Sequence, residues 1–328
     1  MNALAFTGPI PSLEEIAIPI TSPVAEGPPD LIPGFLPKQG ALIVAGETNI
    51  GKSLLALEVC SALTTDRPLW GEVAPNEKAK KILYVLGEHY SGVIQRLWQH
   101  TKLPMSDSVY LLGPEELGYD KWLVSSGKVN QVSVAKFQKW SEGCDLIVFD
   151  PLSAFITGVG ETENDNIQMR LLLDSMSLVA QSNGASCLVL AHQGKPQMDK
   201  FGSEHKRSSY RIRGASGIED AATNIFYLGR SEELTGKSSG NMVLTLECRK
   251  YKGQAPPEYR LMRDPNTLTH SLLGNRPFVE IMKIDTNAKV ARLQADNPSI
   301  DYRTALKLVA SMEGVSEDTV KRRIGLIS

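Results

Sequence analysis

The segment Gly46–Ser53 reads GETNIGKS, a full match to the spacing G-x-x-x-x-G-K-[ST], and it constrains this chain more than any other stretch. It follows the apolar run ALIVA (Ala41–Ala45) directly and opens a helical pattern that starts at Lys52. A strand that curls through glycines into a helix turns several backbone amides toward one anion, and the helix N-terminus adds a favourable dipole. The expected ligand is a nucleoside triphosphate, cradled by Gly46, Glu47, Thr48, Asn49, Ile50, Gly51, Lys52, Ser53 and Leu54. Lys52 would reach the β- and γ-phosphates and Ser53 would ligate Mg²⁺. The plainer alternative is an ordinary glycine turn ahead of a helix.

A loop of this kind implies an α/β fold with a parallel sheet covered on both faces, and the rest of the chain reads that way. Candidate strands are Ala41–Ala45, Ile82–Leu86, Val109–Leu112, Leu146–Phe149, Ser186–Ala191 and Asn224–Leu228. Helical patterns lie between them at Lys52–Ala62, Val93–His100, Val132–Trp140 and Asn166–Asn183. After Gly229 the rhythm becomes strand–turn–strand (Met242–Cys248, Glu258–Met262), a trailing edge expected to extend the sheet. Seven prolines in residues 1–33 mark a tail or linker. Residues 34–280 are expected to form the core, and 281–328 a small helical appendage resembling a helix-turn-helix, with helices at Asp301–Met312 and Ser316–Ile324.

The 328 residues are 42% hydrophobic and 22% charged, within the globular range, which excludes wholesale disorder. Thirty-five Lys and Arg stand against 37 Asp and Glu, so no general coat of positive charge exists, and any nucleic-acid contact must come from a local patch. No run approaches the ~18 apolar residues of a membrane span, and the N-terminus lacks the pattern of a signal peptide. Cys60, Cys144, Cys187 and Cys248 are widely spaced with no CxxC pair, which fits a cytoplasmic protein.

Carboxylates stand where such a site needs them. LIVFD (Leu146–Asp150) is an apolar strand ending in an acid, and strand C-termini line the ligand crevice of a parallel sheet, so Asp150 can face the magnesium held by Ser53. ILYVL (Ile82–Leu86) runs through Gly87 into Glu88, which can orient and deprotonate an attacking water and so favours hydrolysis over transfer to a bound substrate. CLVLAH ends in His192, placed to sense the γ-phosphate. The plainer alternatives are a turn residue before Pro151, a solvated loop glutamate and a hydrogen-bonded core histidine.

Two basic patches are candidate DNA contacts. Gln193–Arg213 carries a net +4 in 21 residues, including Lys195, Lys206, Arg207, Arg211 and Arg213, with Tyr210 available to stack a base. In the C-terminal helices, Ala310, Gly314, Val315 and Val320 have the spacing that packs a helix-turn-helix, and Lys321, Arg322 and Arg323 lie on its second helix. A solvated loop and a helical hairpin for protein contacts are the respective alternatives.

GETNIGKS, Glu88, DPLSAF (Asp150–Phe155) with ETENDN (Glu161–Asn166), LAHQGK (Leu190–Lys195) and RGASGIEDAATNIFYL (Arg213–Leu228) come in an order that resembles RecA-like ATPases. The likeness is to the RepA-type hexameric replicative helicases of plasmids and phages and runs from about Leu31 to Pro257. It implies a doubly wound, mostly parallel RecA-like core, a ring of six like subunits, ATP with Mg²⁺ between neighbours and single-stranded DNA in a central channel. By position, Lys52 and Ser53 bind phosphate and metal, Glu88 is the catalytic base, Asp150 the second metal-side acid and His192 the sensor.

The chain departs from that pattern at DAATN (Asp220–Asn224), where the family's trans-acting arginine is missing. Arg213, Arg230, Arg249, Lys250 and Lys252 are the candidate substitutes. RKYKG (Arg249–Gly253) resembles a basic K-x-R stretch with Lys252 in the arginine's place, and a lysine offers no bidentate fork. The function so implied is an ATP-hydrolysing DNA-handling motor, a replicative helicase of a mobile element. A regulatory recruitment switch and a filament-forming recombination mediator are the alternatives.

Overall fold

The computed structural model describes residues 12, 29–65, 67–104, 106–157, 166–193, 215–231, 242–252, 256, 258–273, 278–313 and 317–323. In chain order its elements begin with β1 (Ala41–Gly46), α1 (Lys52–Thr65), β2 (Ile82–Leu86), α2 (Ser91–Thr101), β3 (Val109–Leu112) and α3 (Pro114–Leu117). A 3-10 turn (Gly118–Lys121) leads to β4 (Val124–Ser125), β5 (Lys128–Val129), α4 (Gln131–Trp140) and β6 (Leu146–Asp150). A second 3-10 turn (Leu152–Phe155) precedes β7 (Ile156–Thr157), α5 (Asn166–Gln181), β8 (Ser186–His192), α6 (Ala215–Ala221) and β9 (Asn224–Arg230). The chain closes with β10 (Met242–Lys250), β11 (Tyr259–Arg263), β12 (His270–Leu272), α7 (Phe278–Asp296), α8 (Tyr302–Glu313) and α9 (Glu317–Arg323).

Nine strands form one sheet in the order β12-β11-β10-β9-β1-β8-β6-β2-β3. From β9 to β3 every pairing is parallel, and β10, β11 and β12 add on antiparallel. This is the α/β doubly wound architecture expected from the alternation of short apolar runs and helical patterns, with the expected trailing edge.

The period-2 alternation of β1 explains why both faces need helices. Leu42 and Val44 enter a core shared with Leu55, Val59 and Leu63 of α1. Ala41, Ile43 and Ala45 enter the opposite core with Phe137 of α4 and Leu172 and Met176 of α5. A helix tucked between sheet and neighbours must be apolar all round, and every residue of α1 from Leu54 to Thr64 is buried.

Several features differ from the sequence reading. Leu31 and Ile32, placed with the proline-rich tail, are buried in the core, and Ile32 and Leu36 exchange backbone hydrogen bonds at 3.0 and 3.2 Å. A second sheet, β5-β4-β7, was not anticipated because strands of two residues leave no periodicity to detect. Within the expected helical appendage 281–328, α7 has no counterpart among the two helices named, because charges interrupt its apolar stripe; of its side chains, Val290 joins Ala305, Leu306, Val309, Ala310 and Val320 in a separate small core. Thus Ala310 and Val320 do pack together, whereas Gly314, Val315 and Ser316 lie outside the described residues. Asp301 accepts from the Thr304 amide at 2.6 Å and so caps α8.

Phe137 is fully buried, with ring centroids 5.3 Å from Trp140, 5.9 Å from Phe149 and 6.5 Å from Phe155. Phe137→Ala should cost about 3–5 kcal/mol of unfolding free energy by loss of burial and cavity formation, read from the denaturant midpoint at unchanged slope.

Candidate functional site

Register places the site. Gly46, the last residue of β1, lies opposite His192 of β8 on one side and Leu228 of β9 on the other, so the chain leaves the sheet from its middle. Two strands away, Asp150 ends β6 opposite Leu86 of β2. All these strand ends share one edge, the position where parallel sheets present ligand groups.

Between β1 and α1 the chain curls as the glycine spacing requires. Asn49 has φ 63° in the left-handed region that asparagine tolerates, and Gly51 has φ 110°, open only to glycine without strain. Glu47, Thr48 and Asn49 form the exposed rim, Ile50 is buried beneath them, and Leu54 continues inward on α1.

Lys52 starts α1 and folds back over the loop. Its ammonium donates to the carbonyls of Gly46 at 3.0 Å and Glu47 at 2.8 Å and lies 3.5 Å from His192 Nδ1. Burial pulls its pKa down to about 8, while the charges of Asp150, Glu88 and Glu47 pull it up. Carbonyl dipoles compensate a buried cation only in part; an anion arriving at the curl would complete the job.

Ser53 Oγ donates to Asp150 Oδ2 at 2.7 Å. A hydroxyl and a carboxylate oxygen brought together are hard donors of the kind Mg²⁺ takes from a protein when phosphates supply other ligands, so this pair fits the expected metal. Among the described residues no group of three or more His, Cys, Asp or Glu is arranged to hold a metal by itself. A magnesium ion on Ser53 and Asp150 would therefore need a bound polyphosphate to supply further ligands.

Glu88 stands exposed, two residues beyond the end of β2, and is close enough for its charge to act on Lys52. Its approach is set by Gly87, where a Cβ would come within 2.2 Å of the Ala154 Cβ, so only a glycine lets the chain pass the Pro151–Phe155 turn here. Gly87 N also donates to Asp150 O at 2.8 Å, which ties the stem of Glu88 to the end of β6.

Sequence reasoning missed Tyr84. Its buried hydroxyl donates to the same Asp150 oxygen at 2.8 Å. Burial, together with the Asp150 charge, pushes the phenol well above its ordinary pKa and keeps it a donor. One tyrosine in an otherwise aliphatic buried strand, ILYVL, was the available signal, since a buried hydroxyl must find a partner.

The other basic candidates are dispersed over the structure. Arg230 is exposed at the end of β9, on the same edge as the phosphate loop of its own chain. Arg249 pairs with Glu247 at 3.2 Å and lies over the Tyr227 ring, and Lys250 donates to the Glu219 and Asp220 carbonyls at 2.6 and 3.2 Å, capping α6. Because β10 runs antiparallel, Arg249, Lys250 and the exposed Lys252 lie at the opposite end of the sheet. Lys321 bonds Glu317 at 2.8 Å, which offsets its charge within α9. Lys195, Lys206, Arg207, Arg211 and Arg213 lie outside the described residues, as do the side chains of Arg322 and Arg323.

A lysine that titrates near 8 makes nucleotide binding pH-dependent. Bound phosphate raises the pKa of the adjacent ammonium, so the complex keeps a proton that the free protein loses above about 8. ATP affinity should be flat below that pH and fall about ten-fold per unit above it. Calorimetry in buffers of different ionisation enthalpy should show proton uptake on binding in that range.

The sequence profile of the AAA domain family matches residues 22–198, more than half of the chain. No curated protein matches it. Among solved structures, a KaiC-like protein from the hyperthermophilic archaeon Pyrococcus horikoshii OT3 is similar at 12% identity and a TM-score of 0.47, over 74% of this chain and 94% of that one. This chain belongs to the AAA domain family and is a P-loop ATPase.

Proposed function

We propose that the chain is an ATP-hydrolysing DNA-handling motor, a ring-forming hexameric replicative helicase of a mobile element that acts on single-stranded DNA in the cytoplasm. One observation carries the reading. His192, 3.5 Å from the Lys52 ammonium, ends β8, and the basic stretch Gln193–Arg213 continues from it in sequence. A change at the γ-phosphate is thereby passed to a segment that carries +4 over 21 residues in a chain whose overall balance is −2. The resemblance to RepA-type helicases supports the same reading.

Each residue has a role in it. The loop amides and Lys52 hold the phosphates, and Ser53 and Asp150 offer oxygens to Mg²⁺, with Tyr84 fixing the carboxylate. The metal, when bound, neutralises phosphate charge. Glu88 takes the proton of the attacking water, and His192 senses the phosphate. ATP holds neighbouring subunits together, and hydrolysis loosens both that interface and the grip on DNA. A basic residue reaching the neighbour's nucleotide comes from the end of the sheet that carries Arg249 and Lys252, or from Arg213. In the described residues, no helix is long and apolar enough to cross a membrane.

A recruitment switch that unwinds nothing is the second reading, favoured by the engagement of Lys250 and Lys321 within the chain. The two separate on a forked duplex. A motor displaces the strand with ATP and shows ATPase stimulated by single-stranded DNA; a switch turns over slowly whether DNA is present or not.

Lys52→Ala should abolish nucleotide binding, whereas Glu88→Gln should bind ATP normally and lose hydrolysis by about 10²-fold or more, the scale of a removed general base. Normal turnover by Glu88→Gln would remove that residue from the base role. Replacing Lys206 and Arg207 by alanine should lower DNA affinity and flatten its dependence on salt, by about one unit of log–log slope for each phosphate no longer neutralised.

A further inference from the structure

A buried ionic chain runs beneath the phosphate loop, and none of its members belongs to the nucleotide motif. Arg263 on β11, His270 on β12 and Glu58 in the middle of α1 are 8%, 7% and 5% exposed. Arg263 Nη2 donates to the Ile50 carbonyl, and its Nε donates to His270 Nε2 at 3.1 Å. On the far side of the ring, His270 Nδ1 lies 2.8 Å from Glu58 Oε2, and Glu58 also accepts from the His270 amide and, at 3.2 Å, from Trp70 Nε1.

Because a guanidinium only donates, His270 Nε2 must be the accepting nitrogen, so Nδ1 carries the proton and gives it to Glu58. Donation therefore runs one way, from Arg263 through His270 to Glu58. Burying three such groups is costly unless each is fully paired, and a plain apolar cluster could join α1 to the sheet without that cost. The chain ends on a backbone atom of the phosphate loop, and this is what the arrangement achieves that apolar packing could not.

We propose that Arg263, held by His270 and Glu58, is a positioning residue that sets the Ile50–Gly51 peptide plane so that the Gly51 amide faces the triphosphate. In a trans peptide the carbonyl and the next amide point in opposite directions. Anchoring the Ile50 oxygen on Arg263 therefore aims the Gly51 N–H away from it, toward the hollow of the curl. The contact is close: a Cβ at Gly51 would lie 1.9 Å from Arg263 Nη2. The proposal rests on Gly46–Ser53 being the triphosphate site, and the test separates the two.

The experiment measures ATP affinity by calorimetry and steady-state ATPase on the full chain, for the unaltered protein and for Arg263→Met, Arg263→Lys, Glu58→Gln and the Arg263→Met/Glu58→Gln double variant. An amide that grips the phosphate equally in ground and transition states contributes to binding alone. Arg263→Met should thus weaken ATP binding and raise KM about ten-fold, with kcat within about two-fold of normal, the pattern of lost uniform binding. Arg263→Lys, which keeps a cation and one donor, should bind within about three-fold of the unaltered protein. Glu58→Gln should have a smaller effect in the same direction, and the double variant should be no worse than Arg263→Met, since coupled residues are not additive.

A purely structural role would lower kcat through a smaller folded fraction while leaving affinity unchanged, and that result overturns the proposal. Equal affinity in Arg263→Met and the unaltered protein overturns it too. Absence of ATP binding by the folded, unaltered protein overturns the site itself and the proposal with it. If Arg263→Met does not fold, Glu58→Gln decides: a raised KM with kcat near normal supports the proposal, and unchanged affinity overturns it.

Discussion

Everything in this molecule depends on one strand lying in the middle of a parallel sheet. β1 has parallel partners on both sides, so its continuation cannot turn back as a hairpin and must cross a face of the sheet as a helix. The turn between the two is the phosphate loop. Parallel register then decides what surrounds it, because His192, Leu228 and, further out, Asp150 reach the same edge as Gly46. Chemistry gathers there because strand ends do.

The polar groups at that edge are already paired in an order that suits the roles proposed for them. Lys52 is held on two carbonyls of its own loop, a weak compensation that leaves its ammonium easy to deprotonate. Asp150 takes hydrogen bonds from Tyr84 and Ser53 on one oxygen. Both interactions preorganise: the cation is fixed over the curl and the carboxylate beside the hydroxyl, so neither has to be recruited from solvent when charge arrives.

Much of this was readable from residues alone. The loop motif and the order of apolar runs sufficed for the doubly wound sheet and for the meeting of Lys52, Ser53, Asp150 and His192, because short-range spacing and strand order determine which residues share an edge. Partners distant in sequence were not readable. Tyr84 meets Asp150 across 66 residues, and Glu58 meets His270 across 212. Periodicity carries no information about such pairings. What the sequence did offer was a mismatch: a lone glutamate in the apolar helix KSLLALEVCSALTT. A charge in that position requires a buried partner, although nothing local says which. The placement of Lys250 on the α6 carbonyls was equally hidden, since it follows from the reversed direction of β10 and not from any motif around it.

That reversal gives the trailing strands two different ends. At one, Lys250 and Asn224 tie β10 and the following residues to the base of the sheet, away from the nucleotide edge. At the other, β11 sends Arg263 under the phosphate loop while β12 places His270 against α1. An extension that merely covered the edge strand β9 would need neither contact. Because Arg263 touches the carbonyl of Ile50 and His270 touches the helix that begins at Lys52, a displacement of β11 or β12 must move the loop, the helix or both. Close-packed cores transmit such shifts in place of absorbing them. The antiparallel strands are thus mechanically continuous with the site that holds the phosphates, and a load applied to that edge of the sheet reaches the loop through two or three hydrogen bonds.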